Sequence, residues 1–190
     1  MARLRPALFA VALLISSSAV ATVVLALSME ELSARAPLIV HAVAQGSNVA
    51  WDEPHAKIWT WTELCVKETL KAPSTSLGLN GGTLVVKQPG GVVGEVGMEI
   101  AGVATFKPGE EVVLFLEPAP DEPGIWVPVS MSASKVTLEE RFGTRVAKRD
   151  LGGLAFARVG EQRVVEPRQE REILGTADAF LARIKAAVTR

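Results

Sequence analysis

The sequence predicts a mainly β protein, a small antiparallel barrel of the OB-like, Greek-key type with a short N-terminal helix and a C-terminal amphipathic helix. Three observations predict this class. Apolar segments of strand length recur through residues 28–150, turns rich in glycine and proline separate them, and no amphipathic helical pattern lies between them. Strands at regular intervals with turn signals are typical of antiparallel sandwiches and barrels. We therefore predict one β-barrel domain over residues 28–150.

The first residues of the chain predict export. Arg3 and Arg5 precede an apolar run over residues 7–15, and a serine patch leads to Ala19-Val20-Ala21. A positive segment, an apolar segment and a small-x-small site are the three parts of a secretory signal peptide. We predict a signal peptide over residues 1–21, with residue 26 as a second end point, and an exported protein of the periplasm, envelope or extracellular space. An uncleaved membrane anchor over residues 6–27 is the alternative, because about 20 apolar residues cross a bilayer.

The charges are unevenly distributed along the chain. There are 20 Lys and Arg against 21 Asp and Glu, and loss of Arg3 and Arg5 with the signal peptide leaves a net charge of −3. Residues 22–140 hold 7 basic and 15 acidic residues, whereas residues 141–190 hold 11 basic and 6 acidic residues. Complementary surfaces of one fold, or a basic C-terminal part that recruits an anionic partner, both account for this pattern. Nucleic acid is excluded as a partner, because the basic residues are spaced apart without interleaved aromatic residues.

Cys65 is the only cysteine in the chain. The exported domain therefore has no internal disulfide and depends on its hydrophobic core. A catalytic thiol needs a neighbouring base and an electropositive setting, and the chain contains two histidines. We predict a buried, structural thiol.

The domain opens with a helix and an apolar strand. Ser28 followed by Glu31 is a capping box, which predicts a short helix over Met29–Ala36 before Pro37. The continuous apolar run Leu38–Val43 comes next and has strand length.

The clearest strand covers Ala56–Leu70, because its residues alternate between two faces. One face carries Ile58, Thr60, Thr62, Leu64 and Val66, and the other carries Trp59, Trp61, Glu63, Cys65 and Lys67. Burial of both indoles in the core is the default expectation. If the Ile58 face points to the core instead, Trp59 and Trp61 lie together on the outer face.

Further strands follow a loop over residues 71–82. The pattern predicts them at residues 83–87, 98–106, 111–117, 125–131, 134–138 and 145–148. Residues 151–175 include a polar, charged stretch that predicts a connecting segment. A C-terminal helix over residues 176–189 ends the chain, with Thr176 as N-cap and an apolar face formed by Phe180, Leu181, Ile184 and Val188.

Four segments carry a family resemblance. They are Leu38-Ile39-Val40, Ile58–Lys71, Gln88-Pro89-Gly90-Gly91 and Phe106–Leu116. Together they resemble a group of uncharacterised bacterial exported proteins over Ala36–Met131, with Ala72 where that group usually has glycine. The resemblance implies a strand-rich, OB-like domain and no assigned activity. The architecture is also similar to OB-type domains of secreted metalloprotease inhibitors, without their cysteine framework, and a fold does not fix a function.

The partner-binding prediction rests on tryptophans and lysines of the long strand and the turn before it. OB-type barrels often bind ligands on an outer face through stacking aromatic residues, and an exposed aromatic pair marks a partner site. The predicted partner-binding residues are Trp59, Trp61, Lys57, Lys67 and Trp51. The predicted partner is a protein or a polysaccharide, and a membrane only if the N-terminal segment is uncleaved.

A metal site is the competing interpretation of the same turn. Asp52, Glu53 and His55 lie within four residues, and His41 is a remote fourth ligand for a divalent cation. A solvated hairpin loop accounts for the same residues, so we predict no metal, no other cofactor and no catalytic residue. We expect a non-enzymatic exported β-barrel that binds a protein or carbohydrate partner. An inhibitor or accessory domain for an exported protease is the second expectation, and a metal-dependent hydrolase is the third.

Overall fold

The computed structural model describes residues 21–73, 80–157, 164–165 and 170–189, so residues 1–20 of the predicted signal peptide lie outside the described part. The described residues form thirteen β-strands, two α-helices and a short 3-10 turn at Met131–Ser134. The helices are α1 (Met29–Arg35) and α2 (Ala177–Val188). The strands are β1 (Thr22–Leu25), β2 (Leu38–Trp51), β3 (Ile58–Lys71), β4 (Thr83–Pro89), β5 (Gly91–Val93), β6 (Val96–Met98), β7 (Glu111–Pro118), β8 (Ile125–Pro128), β9 (Lys135–Arg141), β10 (Thr144–Asp150), β11 (Leu154–Ala157), β12 (Val164–Val165) and β13 (Arg171–Thr176).

Five strands close into a ring. Their order is β2-β3-β4-β8-β7, and β7 pairs again with β2. Neighbours in the ring are antiparallel except β4 and β8, which run parallel where Val85 and Val86 lie opposite Ile125 and Trp126. From β7 the same sheet continues outside the ring through β9, β10 and β13. The mainly β class predicted from the sequence is confirmed.

Two hydrophobic cores lie on opposite sides of β2 and β7. Because side chains alternate across a strand, Leu38 and Val40 belong to the ring core, while Ile39 packs with the helices. On β7, Leu114 belongs to the ring core and Phe115 to the helix-side core. The first half of β2 and most of β7 are therefore buried on both faces. This explains why their sequences are continuous apolar runs rather than alternating ones.

Hydrogen bonds fix the starts of the two helices. Ser28 Oγ accepts from Glu31 N at 3.2 Å and Glu31 Oε2 accepts from Ser28 N at 2.8 Å, which is the predicted capping box. Thr176 Oγ1 accepts a backbone hydrogen bond from the first turn of α2 at 3.3 Å. Arg183 of α2 donates to both carboxylate oxygens of Glu30 in α1, at 2.7 and 2.9 Å. The helices are therefore joined to each other as well as packed on the sheet.

The acidic and basic parts of the chain meet within this fold. In the described part, ion pairs join acidic residues of 22–140 to basic residues of 141–190: Glu30–Arg183, Glu68–Lys185, Glu111–Arg145 and Glu139–Lys148. This arrangement favours complementary surfaces of one fold as the explanation of the uneven charge.

One of the strands predicted from the sequence is wrong. The strand predicted over residues 98–106 ends at Met98, and residues 99–110 lie outside any strand or helix. The chain turns at Gly102, which has a φ of +77°, and a Cβ there would lie 2.3 Å from the Leu154 side chain. Within the connecting segment predicted over residues 151–175, the described residues form β11, β12 and most of β13, and residues 158–163 and 166–169 lie outside the described part. These strands form because β11 pairs with β1 and β13 pairs with β10 at the edge of the large sheet.

The chain enters the described part through β1. Thr22 N donates to the Gly153 carbonyl at 2.9 Å, and Thr22 Oγ1 donates to the Ala101 carbonyl at 2.5 Å. Residues 22–25, which the alternative anchor over residues 6–27 includes, are extended and pair in parallel with β11. No helix within the described ranges is long and apolar enough to cross a membrane.

Candidate functional site

Burial settles which face of β3 points inward. Ile58, Leu64 and Val66 are at most 1% exposed. Alternation along the strand then places Trp59 and Trp61 on the outer face, where both are partly exposed. The default expectation that both indoles lie in the core is therefore wrong. The alternative prediction, that Trp59 and Trp61 lie together on the outer face, is the arrangement in the structure.

Cys65 lies on the same outer face and is exposed. The prediction of a buried thiol is therefore wrong. Its neighbours Leu64 and Val66 supply the buried face of this part of β3, and a strand presents successive side chains to opposite faces.

A lysine of the adjacent strand lies across both indoles. In the antiparallel register of β3 and β4, Trp61 lies opposite Lys87 and Trp59 lies opposite Pro89. The Lys87 ammonium nitrogen is 4.4 Å from the centre of the Trp59 ring and 5.2 Å from the centre of the Trp61 ring. An ammonium group at these distances from an indole makes a cation–π interaction worth about 0.5–2 kcal/mol.

An acidic residue completes this arrangement. Glu122, in the connection between β7 and β8, forms an ion pair with Lys87. The Lys87 side chain is only 15% exposed, because the two indoles and this carboxylate enclose its charged end. We call Trp59, Trp61, Lys87 and Glu122 the aromatic face. It joins β3, β4 and the β7–β8 connection.

The turn between β2 and β3 is held by Asp52. Its Oδ1 accepts backbone hydrogen bonds from Ala56 at 2.8 Å and Lys57 at 3.1 Å. Desolvation raises the pKa of Asp52, but the hydrogen bonds from the backbone of Lys57 and Ala56 outweigh it, so the pKa lies below its ordinary value. The His55 ring stacks on Trp51 with the ring centres 6.2 Å apart. The turn is thus an ordered, exposed loop whose carboxylate is used by its own backbone.

The structure brings together only part of the predicted partner-binding set. Lys57 precedes Trp59 and Trp61 on the outer side of the β2–β3 hairpin. Trp51 lies opposite Ile58, and directly opposed residues share a face of the sheet, so Trp51 is on the other side of this hairpin. Lys67 lies on the order of 20 Å along β3 from Trp61 and donates to Glu111 at 3.0 Å.

The four metal-ligand candidates do not converge. His41 lies on β2, on the order of 30 Å along the strand from the Asp52 turn. Its Nε2 is 2.6 Å from Glu111 Oε1. Within the described ranges, no group of three or more His, Cys, Asp or Glu side chains is placed to hold a metal ion.

Three basic side chains surround the carboxylate of Glu111, and we call this cluster the Glu111 hub. Its Oε1 accepts from Lys67 at 3.0 Å and Arg145 at 2.9 Å as well as facing His41. Desolvation raises the pKa of Glu111, but hydrogen bonds from Lys67 and His41 and the charge of Arg145 outweigh it and lower the pKa below its ordinary value. This hub joins β2, β3, β7 and β10.

Sequence reasoning missed Lys87 and Glu122. Lys87 follows Val85-Val86 in a strand whose register against β3 is not visible in the local sequence. Glu122 reaches the same place only because the ring closes between β4 and β8. Neither position has a local sequence signal, although the alternation of Trp59 and Trp61 marks the face that they complete.

Comparison of the chain with protein-family models and with curated proteins finds no match. The aromatic face offers two indole rings, a lysine held across them and a carboxylate beside it. Such a surface can bind and orient a partner through apolar, cation–π and charged contacts.

Proposed function

We propose that this chain is an exported, non-enzymatic β-barrel module that binds an envelope or extracellular protein through its aromatic face. One observation carries the proposal: Trp59 and Trp61 lie on the outer surface with Lys87 held between them and Glu122. Tryptophans are enriched among the residues that dominate binding energy at protein interfaces. A polysaccharide partner is less favoured, because a sugar ring that stacks on these indoles competes with Lys87 for them.

We also propose that the ring is an OB-like Greek-key barrel, as the resemblance to exported OB-like proteins implies. The strand order supports this. Taken in chain order, the ring strands pair as first-second-third-fifth-fourth-first, with the third and fifth parallel. OB-type barrels bind ligands on the face of their second and third strands and with the loops between strands one and two and between strands four and five. Here those regions hold Trp59 and Trp61, the Asp52 turn and Glu122.

Export is supported by the N-terminal pattern and by β1. Ala21 ends the small-x-small site, and Thr22 begins a strand. A transmembrane helix that extended to residue 27 would have to break the pairing of β1 with β11. Cleavage after Ala21 keeps that pairing intact.

A capture experiment tests the proposed function. The exported protein is immobilised and incubated with culture and envelope fractions of the producing organism, and each fraction is also supplied after protease treatment. The wild type and Trp51→Ala should retain the same protease-sensitive partner, because Trp51 lies on the other side of the hairpin. The double variant Trp59→Ala/Trp61→Ala should lose it. Equal capture by all three proteins overturns the assignment of the site, and a partner that survives protease but not glycan oxidation is a polysaccharide.

An inhibitor of an exported protease is the second candidate function. The observation that favours it is the ordered β2–β3 turn. Its side chains Glu53, His55 and Lys57 are exposed, and the Asp52 carboxylate accepts hydrogen bonds from the backbone of the turn itself. Exposed loops held in one conformation suit insertion into an active-site cleft. Slowing of a co-exported protease by the wild type but not by Asp52→Ala would support this candidate.

A further inference from the structure

A cavity of about 870 Å³ opens at one end of the ring. Its walls are the inner faces of β2, β3 and β4, the β5–β6 hairpin, and residues 99–106. Volumes of 300–1,000 Å³ are usual for ligand sites. We propose that this cavity binds a short, uncharged peptide segment, with Gln88 as the residue that recognises its backbone.

Gln88 is the observation on which this proposal depends. It is 4% exposed and lines the cavity. Neighbouring hydroxyl groups have partners: Ser47 and Thr62 are hydrogen-bonded to each other at 2.9 Å, and Thr60 donates to the Gly90 carbonyl at 2.7 Å. The Gln88 side-chain amide, in contrast, makes no hydrogen bond to any residue in the described part of the chain. The amide atoms are accessible from the cavity rather than sealed in the core, so they are available to hydrogen-bond a ligand there.

The chemistry of the walls selects the ligand class. Among the described residues that line the cavity, Glu99 is the one ionisable side chain, and it is exposed. No lysine, arginine or histidine of the described residues lines the cavity, so these walls offer an anionic ligand no counter-charge. A side-chain amide has one acceptor and two donors, which match the N–H and C=O of a peptide group. The site therefore fits a neutral backbone.

The other wall is aliphatic rather than aromatic. Val92, Met98, Ile100 and Val103 line it. Phe106 is the one aromatic residue that the described part of the chain contributes to the lining, and the Lys135 ammonium lies 4.8 Å from the centre of its ring. A saccharide that needs an open ring face is thus disfavoured, while aliphatic peptide side chains have surfaces to pack against.

Glycines keep these walls in place. Gly91 has a φ of +131°, and a Cβ there would lie 2.5 Å from Val49 and 2.7 Å from Thr60. A Cβ on Gly153, whose φ is +71°, would lie 2.7 Å from the Gly102 nitrogen. Only glycine fits such positions without displacing its neighbours. Close packing at these glycines therefore helps to form the cavity walls.

The cavity and the aromatic face are separate sites on one strand. Thr60 and Thr62 of β3 point into the cavity, while Trp59 and Trp61 point outward. The proposed peptide site does not depend on the proposed function of the outer face. A variant that removes both indoles should therefore leave peptide binding unchanged.

Nuclear magnetic resonance on the ¹⁵N-labelled exported protein tests the proposal. The probes are N-acetylated, C-amidated tripeptides of Ala, Val and Leu, with N-acetylglucosamine as the saccharide probe. Peptides should shift the side-chain amide signals of Gln88 and the backbone signals of residues 99–106. Gln88→Leu should weaken peptide binding at least tenfold, and Gln45→Leu, which changes an exposed glutamine on β2, should not.

A stability measurement accompanies the titration. If the Gln88 amide serves a ligand rather than the fold, Gln88→Leu should leave the Tm of the free protein within about 2 °C of the wild type, because the amide has no bond to the protein to lose. Gln88→Met is a second apolar variant, with an unbranched side chain, for the case in which leucine does not fit the site. Four results would each overturn the proposal. Two concern the variants: a lower Tm in both, or peptide-induced signal shifts that persist in both. The other two are signal shifts with the saccharide alone, and a long-lived bound water at Gln88 with no peptide binding.

Discussion

Trp61 on β3 lies directly opposite Lys87 on β4, and the Lys87 ammonium nitrogen is 5.2 Å from the centre of the indole ring. The same nitrogen is 4.4 Å from the Trp59 ring and is paired with Glu122. The lysine therefore ties the outer face of the hairpin to the β7–β8 connection. This gives the aromatic face one defined geometry before any partner arrives, and preorganised surfaces bind at lower entropic cost.

Removal of the Lys87 charge should disturb the geometry of the aromatic face. Lys87→Met keeps the aliphatic stem but loses the cation–π contacts and leaves Glu122 unpaired. We expect the free energy of unfolding to fall by about 1 kcal/mol, with a change in tryptophan fluorescence. Urea unfolding measures the first effect and emission spectra the second.

Lys57→Met is the matched control, since Lys57 is exposed and has no ion pair within the described ranges. Its stability should stay within about 0.5 kcal/mol of the wild type. Identical emission spectra for Lys87→Met and the wild type would show that Lys87 does not contact the indoles in solution.

Asp52 should control the order of the β2–β3 turn. Asp52→Ala removes the acceptor for the backbone N–H groups of Ala56 and Lys57, so both amides should exchange with solvent faster. Asp52→Asn retains a side-chain carbonyl oxygen and should give intermediate protection. Hydrogen exchange followed by nuclear magnetic resonance measures both, and unchanged exchange in Asp52→Ala would mean that the turn is held by other contacts.

Glu111 should make stability depend on pH in the acid range. Its pKa is lowered in the folded state, so its contribution to stability is fully present above the ordinary glutamate pKa of about 4.3 and is lost as the pH falls through the lowered value. Glu111→Gln should lower the free energy of unfolding by about 1 kcal/mol near neutral pH. The difference from the wild type should shrink as the pH falls below about 4.

Urea unfolding of both proteins at several pH values measures this difference. Glu117→Gln on the same strand is the control, because Glu117 is exposed and has no ion pair within the described part of the chain. A difference between wild type and Glu111→Gln that is the same at every pH would contradict an ionic role for Glu111.

Cys65 should react as an exposed thiol. We expect a thiol reagent such as dithionitrobenzoate to label one equivalent in the native protein, because Cys65 lies on the outer face of β3. Denatured protein supplies the reference for complete labelling. Labelling that requires denaturant would restore the buried thiol predicted from the sequence.

The features that sequence analysis predicted correctly are those set by interactions between residues close together in the chain. The capping box at Ser28 and Glu31, the N-cap at Thr176 and the alternation of β3 depend on residues a few positions apart. The ring closure, the second core beside the helices and the Lys87 contacts depend on pairings between distant segments. Alternation also cannot tell which face of a strand is buried, and this is why the positions of Cys65 and the indoles required the structure.

We expect the proposed export to leave Thr22 as the N-terminus of the protein. Cleavage after Ala21 leaves β1 whole, and Thr22 N still reaches the Gly153 carbonyl. Cleavage after Ala26 would remove β1 and uncover β11, and retention of residues 6–27 as a helix would break the same pairing. Intact mass spectrometry of the exported protein distinguishes these three outcomes, and a Leu27 start or an uncleaved chain would contradict this expectation.

Val24→Lys should lower the thermal stability of the form that begins at Thr22, because Val24 packs with Leu151 and Leu154. Val23→Lys is the control. It changes an exposed position of the same strand and should leave the thermal stability unchanged.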